Sequence, residues 1–186
     1  MKKTELKKVL NDHLKWLKGE GGKRADLSGA DLRETNLRDV NLRHANLKGA
    51  DLTGADLRDS DLRNTNLRYT DCTGANLECA DLTGSDFSYS NLSDSNLSDS
   101  NLAGVNFKRA NLKGADLDYS CMPLWCGDLK ANYDEEQMIQ QLYHVLSHVK
   151  YSDNSTDRLK EILLKDEIVA LANEFHRVGE CEKIPK

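Results

Sequence analysis

Little in this chain would fill an ordinary globular core. Aromatic residues make up 6% of the sequence and apolar residues 38%, while 31% are charged. Compact domains of conventional architecture draw on roughly 45–50% apolar residues, so a single thick core is excluded. Proline occurs twice in 186 residues. No apolar run approaches the ~20 residues that cross a bilayer, which argues against a membrane protein. The opening MKKTELKKVLND lacks the apolar stretch of a secretory leader. Basic charge is not in excess: 26 Lys and Arg stand against 31 Asp and Glu, for a net charge of −5. That balance argues against a generally basic nucleic-acid binder and against direct nucleic-acid binding. Five cysteines are an odd number, and with no leader they fit a reducing, cytoplasmic setting better than a disulfide framework. There is no phosphate-binding glycine loop, no nucleophile elbow and no HExxH motif, so no enzyme activity and no cofactor is expected.

What is present is a repeat. From Ala25 to Tyr119 the chain runs through 19 five-residue units without insertion or deletion. The middle residue of each unit, its centre, is Leu in 16 of them and Cys72, Phe87 or Phe107 in the others. The residue before the centre is always Asp or Asn, and the one before that is Ala, Ser, Thr or Val. The last two positions are mostly polar, with Gly frequent at the end. An imperfect unit follows at Ser120, with Cys121 and Met122.

A period of five fits neither a helix nor a flat strand. It fits a chain that turns a corner every five residues. Centre and small residue lie two apart, so in extended backbone they point to one side. The centre fills an interior, and the small residue sits beside it where backbone runs close. Gly at the end of a unit, as at Gly49 and Gly74, permits positive φ at the corner. Asp or Asn before the centre can accept a hydrogen bond from nearby backbone.

This pattern, A(D/N)LXX in strict register, resembles the pentapeptide-repeat family. The resemblance implies a β solenoid, a right-handed quadrilateral β-helix with four units per coil. Residues 25–119 would then make about five coils, a rod roughly 23 Å long at the spacing of stacked strands. Residues twenty apart would stack. Leu27, Leu47, Leu67, Phe87 and Phe107 would form one interior column, with the two rings adjacent. Cys72 falls at a centre and is expected to be a buried packing thiol.

An open solenoid end needs a cap. Residues 1–24 are expected to form an N-terminal helical cap, with a helix over 4–18, Thr4 as N-cap and Gly19 as stop. Leu6, Val9, Leu10, Leu14 and Leu17 would face the first coil, joined by His13 and Trp16. Residues 25–122 form the β-helix. Residues 123–186 read as a C-terminal helical cap or dimerisation region, beginning with a closing loop and continuing with a helix from Glu135 to about Lys150 that carries Met138, Leu142 and Val145.

Along the chain, charge is uneven. The first half of the rod is dotted with Arg, and residues 71–107 hold six acids and no Lys or Arg. Arg38 would stack on Arg58 and Arg43 on Arg63, giving a candidate basic surface. Asp81, Asp86, Asp94 and Asp99 make a candidate acidic one. Cross-coil Arg–Asp pairing is the plainer reading of the same residues. The weak metal candidates are Cys121, Cys126, His144 and His148, whose spacing has a superficial zinc look. Otherwise no metal site is expected. A row of carboxylates imposed by a structural period is not a sign of acid/base catalysis.

The function expected from this sequence is therefore a noncatalytic structural or protein-interaction scaffold. Its partner would be another protein or a second copy, joined through the C-terminal helices. The family resemblance implies an alternative, since some members act as DNA-mimicking modulators of DNA gyrase or topoisomerase.

Overall fold

A computed structural model describes residues 1–118 and Ser120. The metal candidates Cys121, Cys126, His144 and His148 lie outside the described residues, as does the expected C-terminal helical region.

The repeat folds into stacked coils. Parallel bridges join each residue before a centre to its counterpart twenty residues on, from Asp26↔Asn46 to Asn96↔Asp116. Each bridge is isolated rather than part of a strand, because the chain leaves the pairing direction at the next corner. Twenty residues per coil at five per unit gives four sides.

The five residues Asn46–Ala50 show why the pattern is so strict, since every one of their backbone N–H groups finds an acceptor. Asn46 donates to the Ala25 carbonyl one coil back (3.0 Å). Leu47 and Gly49 donate to the Asn66 and Arg68 carbonyls one coil forward (both 2.8 Å). Ala50 closes the corner by donating to the Leu47 carbonyl (2.9 Å). The remaining donor, the Lys48 N–H, reaches Oδ1 of Asn46 (3.3 Å). No backbone carbonyl serves that last donor, so a side chain must. Asp or Asn two residues earlier is the shortest side chain with the acceptor in the right place.

The interior is filled by the centres. From Leu27 to Leu117 every centre is at most 2% exposed. Each buried Leu contributes roughly 1.5–3 kcal/mol before conformational entropy is counted. Phe87 and Phe107 stack in their common column with centroids 5.8 Å apart. Cys72 is buried, and burial pushes its thiol up to about 12, which suits a packing role. Where the small position is Ser or Thr, its hydroxyl usually donates to a centre's carbonyl, as from Ser95 to Leu92 (2.7 Å). Buried Ser60 and Ser85 hydroxyls find no such partner among the described residues.

The corners go further than the glycine pattern suggests. All 18 end-of-unit residues from Gly29 to Gly114 have positive φ, yet only 7 are Gly. Asp39, His44, Asp59, Asn64, Asp94 and Asp99 are types enriched in the left-handed region. Glu34, Tyr69, Cys79, Tyr89 and Arg109 are not, and stacking holds them there.

One helix, α1 (Lys3–Leu17), covers the first coil. It starts one residue earlier than expected, and Thr4 is not its cap. The N-cap position is Lys2, whose side chain makes no capping bond. The Met1 amino group donates to the Asp31 carbonyl (2.7 Å) and draws this end onto the second unit, leaving Thr4 inside the first turn. Gly19, at φ 70, stops the helix as expected. Leu6 is buried, and Val9 and Leu10 pack on the core. Leu14, expected to face the coil, is 41% exposed. The spacing 6, 10, 13, 17 is the inner stripe, and His13 takes the place that apolarity alone would give to Leu14.

Candidate interaction surface

Unit by unit, the Asp or Asn before the centre decides what the following cation does. In Asp-Leu-Arg the guanidinium folds back on its own unit's carboxylate as a two-pronged fork. Arg58 meets Asp56 through Nε (2.8 Å) and a terminal nitrogen (2.7 Å). Arg63 meets Asp61 (2.8 and 2.6 Å), and Arg33 meets Asp31 (2.9 and 2.8 Å). Such forks are strong, directional hydrogen bonds. The Arg58 side chain holds the Asp56 carboxyl down at about 2, and the Arg33 side chain depresses Asp31 likewise. Burial opposes ionisation of Asp61, but the hydrogen bonds from Arg63 outweigh it.

With Asn before the centre there is no carboxylate to fold onto. Arg38 reaches one coil forward to Asp59 (2.8 Å), Arg43 approaches Asp61 (3.9 Å), and Arg68 approaches Asp86 (3.8 Å). The four arginines read as a basic surface, Arg38, Arg43, Arg58 and Arg63, are thus all beside carboxylates. They also divide between two sides: Arg38 and Arg58 follow the Leu37 column, Arg43 and Arg63 the Leu42 column.

The four acids close in sequence are not brought together. The twenty-residue period places Asp81 before a Leu42-column centre and Asp86 before a Leu27-column centre. Asp94 falls at the corner after the Leu32 column, and Asp99 at the corner after the Leu37 column. Charge is sorted by side rather than along the rod. The side begun by Leu37 carries Asp39, Asp56, Asp59, Glu78, Asp99, Asp116 and Asp118 against Arg38 and Arg58.

The side begun by Leu27 has the opposite character, and the sequence reading did not single it out. Asn precedes the centre in three of its five units, at Asn46, Asn66 and Asn106. Among the described residues Lys48, Lys108 and Arg109 have no ion pair there. Tyr69 and Tyr89, both at left-handed corners, stack with centroids 5.1 Å apart and stay exposed. Lys48 Nζ and the Arg68 guanidinium lie 5.8 and 5.6 Å from the Tyr69 ring centre, and the Arg109 guanidinium 5.5 Å from that of Tyr89. These are cation–π distances. The signal was present as residues 20 apart, Tyr69 and Tyr89, flanked by Asn-x-Lys.

On the inner face of α1, His13 is completely buried, and its Nδ1 accepts the Ala25 N–H (3.0 Å). Trp16 stacks on it with centroids 5.6 Å apart. Nε2 has no hydrogen-bond partner among the described residues. Burial lowers the pKa below 6.5, the nearby Arg43 backbone opposes that shift, and Arg24 and His44 add to it. The ring is therefore a neutral wedge between cap and first coil.

Among the described residues no helix is long and apolar enough to cross a membrane, and no cluster of His, Cys, Asp and Glu could hold a metal ion. No curated protein sequence matches the chain. Solved structures do. A pentapeptide-repeat protein from the Arabidopsis thaliana thylakoid lumen is 23% identical over 76% of this chain and 89% of its own, with a TM-score of 0.50. A pentapeptide-repeat protein from Nostoc Pcc 7120 is 26% identical over 67% of this chain and 93% of its own, at a TM-score of 0.36. QnrB1, a plasmid-mediated fluoroquinolone resistance protein, is 21% identical over 70% and 73%, at 0.39. The family described as Pentapeptide repeats matches residues 23–59, 55–94 and 90–123, in 8 copies. The twenty-residue bridges and the filled four-sided interior are what that repeat builds, a right-handed quadrilateral β-helix, and the chain belongs to the pentapeptide-repeat family.

Proposed function

We propose that this protein is a noncatalytic interaction rod of about five coils. It presents flat, charge-sorted sides to a protein partner or a second copy. The observation that carries this reading is the filled interior: centres from Leu27 to Leu117 occupy the axis of the coils. An enzyme needs a concave, dry site with a perturbed reactive group. Here the Arg and Asp side chains lie outside the packed axis, His13 and Cys72 are buried in packing, and the strongly perturbed carboxylates are those forked to arginine. Cross-linking of the full-length protein with its cell extract, alongside its mass in solution, tests the reading. Recovery of neither a partner nor a self-associated species counts against it.

A second reading, a DNA-mimicking modulator of DNA gyrase, draws on the acidic side begun by Leu37. A supercoiling titration with Glu78→Gln/Asp99→Asn as the control variant tests it. Inhibition that this variant loses supports mimicry. Absence of any effect, with or without a quinolone, removes it.

A further inference from the structure

We infer that the side begun by Leu27 is a docking surface for an extended acidic segment of a partner protein. The inference rests on the interaction-rod reading and names the chemistry of one partner.

Three observations carry it. The first is unspent charge. Among the described residues Lys48, Lys108 and Arg109 make no ion pair, whereas most of the arginines in the coils are held by carboxylates, and Arg68 has only a loose approach to Asp86 at 3.8 Å. The cause is local: Asn46 and Asn106 supply the backbone-capping oxygen without a negative charge.

The second is preorganisation. Lys48 and Arg68 lie near one end of the Tyr69–Tyr89 stack, and Arg109 lies near the other. A cation resting on a ring keeps its charge and loses rotamer freedom before any partner arrives, so less is lost on binding. Tyr69 and Tyr89 are 50% and 38% exposed, and their hydroxyls make no hydrogen bond to the described residues. They are free to donate to carboxylates.

The third observation selects protein over nucleic acid. Single-stranded nucleic acid is held by bases stacked on free ring faces in a positive groove. Here the two rings stack on each other and are flanked by the protein's own cations, so the faces a base would use are already engaged. The patch is about three coils, or roughly 15 Å, long. The side diagonally across the rod is acidic and the whole chain is at −5, which disfavours a long polyanion. A short carboxylate-bearing strand matches the length, the charge and the hydroxyl donors.

The test is fluorescence anisotropy of labelled poly-L-glutamate and of labelled oligo(dT) matched in charge, titrated with full-length protein at low and at physiological ionic strength. Poly-L-glutamate is expected to bind and to weaken with salt. A Lys48→Glu/Lys108→Glu/Arg109→Glu variant should lose about tenfold or more in affinity. Tyr69→Ser/Tyr89→Ser leaves the charge unchanged and should lose about threefold by releasing the cations, and Tyr69→Phe/Tyr89→Phe should restore most of that. All three substitute surface side chains, and equal melting midpoints check that they fold. No binding of poly-L-glutamate, or binding indifferent to the charge reversal, overturns the inference. Preference for oligo(dT) also overturns it and gives the surface to nucleic acid. Partners that cross-link equally to wild type and to the charge-reversed variant sink this surface and leave the interaction rod standing. Wild type that cross-links to nothing, itself included, sinks the rod reading as well.

Discussion

The left-handed corners give the sharpest test of how this sequence holds its fold. Gly74 has φ +63, and a Cβ built there meets no atom within 4 Å. Gly74→Ala therefore isolates backbone strain from crowding. Placing an L side chain in the left-handed region costs about 1–2 kcal/mol. The unfolded chain loses freedom with the same substitution, which returns about 0.4–1 kcal/mol. The net expectation is destabilisation by about 1 kcal/mol. Gly74→Asn should cost less, because Asx residues tolerate this region, and Asp94 occupies the next corner of the same column at φ 56. The opposite change at an exposed non-Gly corner, Cys79→Gly at φ 58, should be neutral to stabilising by up to about 1 kcal/mol. The assay is urea unfolding followed by far-UV circular dichroism, comparing midpoints and slopes, since stacked repeats can depart from two-state behaviour. If Gly74→Ala is as stable as wild type while Cys79→Gly is less stable, strain at the corners is not what glycine relieves here. The order Gly, Asn, Ala at position 74 is the signature to look for.

Two further outcomes follow from named groups. His13 is held neutral, with its pKa depressed below 6.5 by burial. The unfolded chain therefore takes up the proton first, and the stability of the cap, full above pH 6.5, should fall as pH drops below that value. His13→Gln should flatten this slope in thermal melts run between pH 7.5 and 5, and an unchanged slope assigns it to another histidine. Asp56→Asn keeps the oxygen that accepts the Arg58 N–H but removes the fork. It should cost no more than about 1 kcal/mol at neutral pH, because both partners are partly exposed. It should also remove part of the stability lost as pH falls from the ordinary carboxylate range toward about 2, where Asp56 titrates in the folded chain. A loss of several kcal/mol in urea titrations would show that the fork, not the capping oxygen, holds the corner.

Much of the fold is legible in the repeat because its period converts directly into contacts. Five residues per unit and twenty per coil place Phe87 on Phe107, bury Cys72, and give each Asp or Asn its backbone donor. The corners are only half legible. Gly marks some of them, but nothing in Tyr69 or Arg109 announces a positive φ. Hydrogen bonds to the coils on either side impose it, and a single unit does not contain those coils. The cap is legible as a helix and not in detail. Its inner stripe includes a histidine, which an apolar count passes over, and excludes Leu14, which the same count includes. The layout of charge on the surface was least legible. Grouping charge along the chain collects Asp81, Asp86, Asp94 and Asp99 into one band, and the coil then deals them out to four sides. Neighbours in sequence are the residues this fold separates most systematically.

That separation has a consequence for how such a rod carries information. Asp and Asn serve the backbone equally, since either Oδ1 accepts the N–H two residues on, as in Asp51 with Thr53 and Asn46 with Lys48. The fold is indifferent to the choice, but the surface is not. Asp captures the arginine that follows the centre, while Asn releases the cation to the next coil or to solvent. Charge can therefore be written onto each side through one atom per unit, with little effect on the core. On the side begun by Leu27, Asn46 and Asn106 precede the centres that Lys48 and Lys108 follow, and among the described residues Lys48, Lys108 and Arg109 there have no ion pair. A repeat this uniform inside can thus present sides of opposite electrostatic character outside, and specificity for a partner can change without any change in the solenoid that displays it.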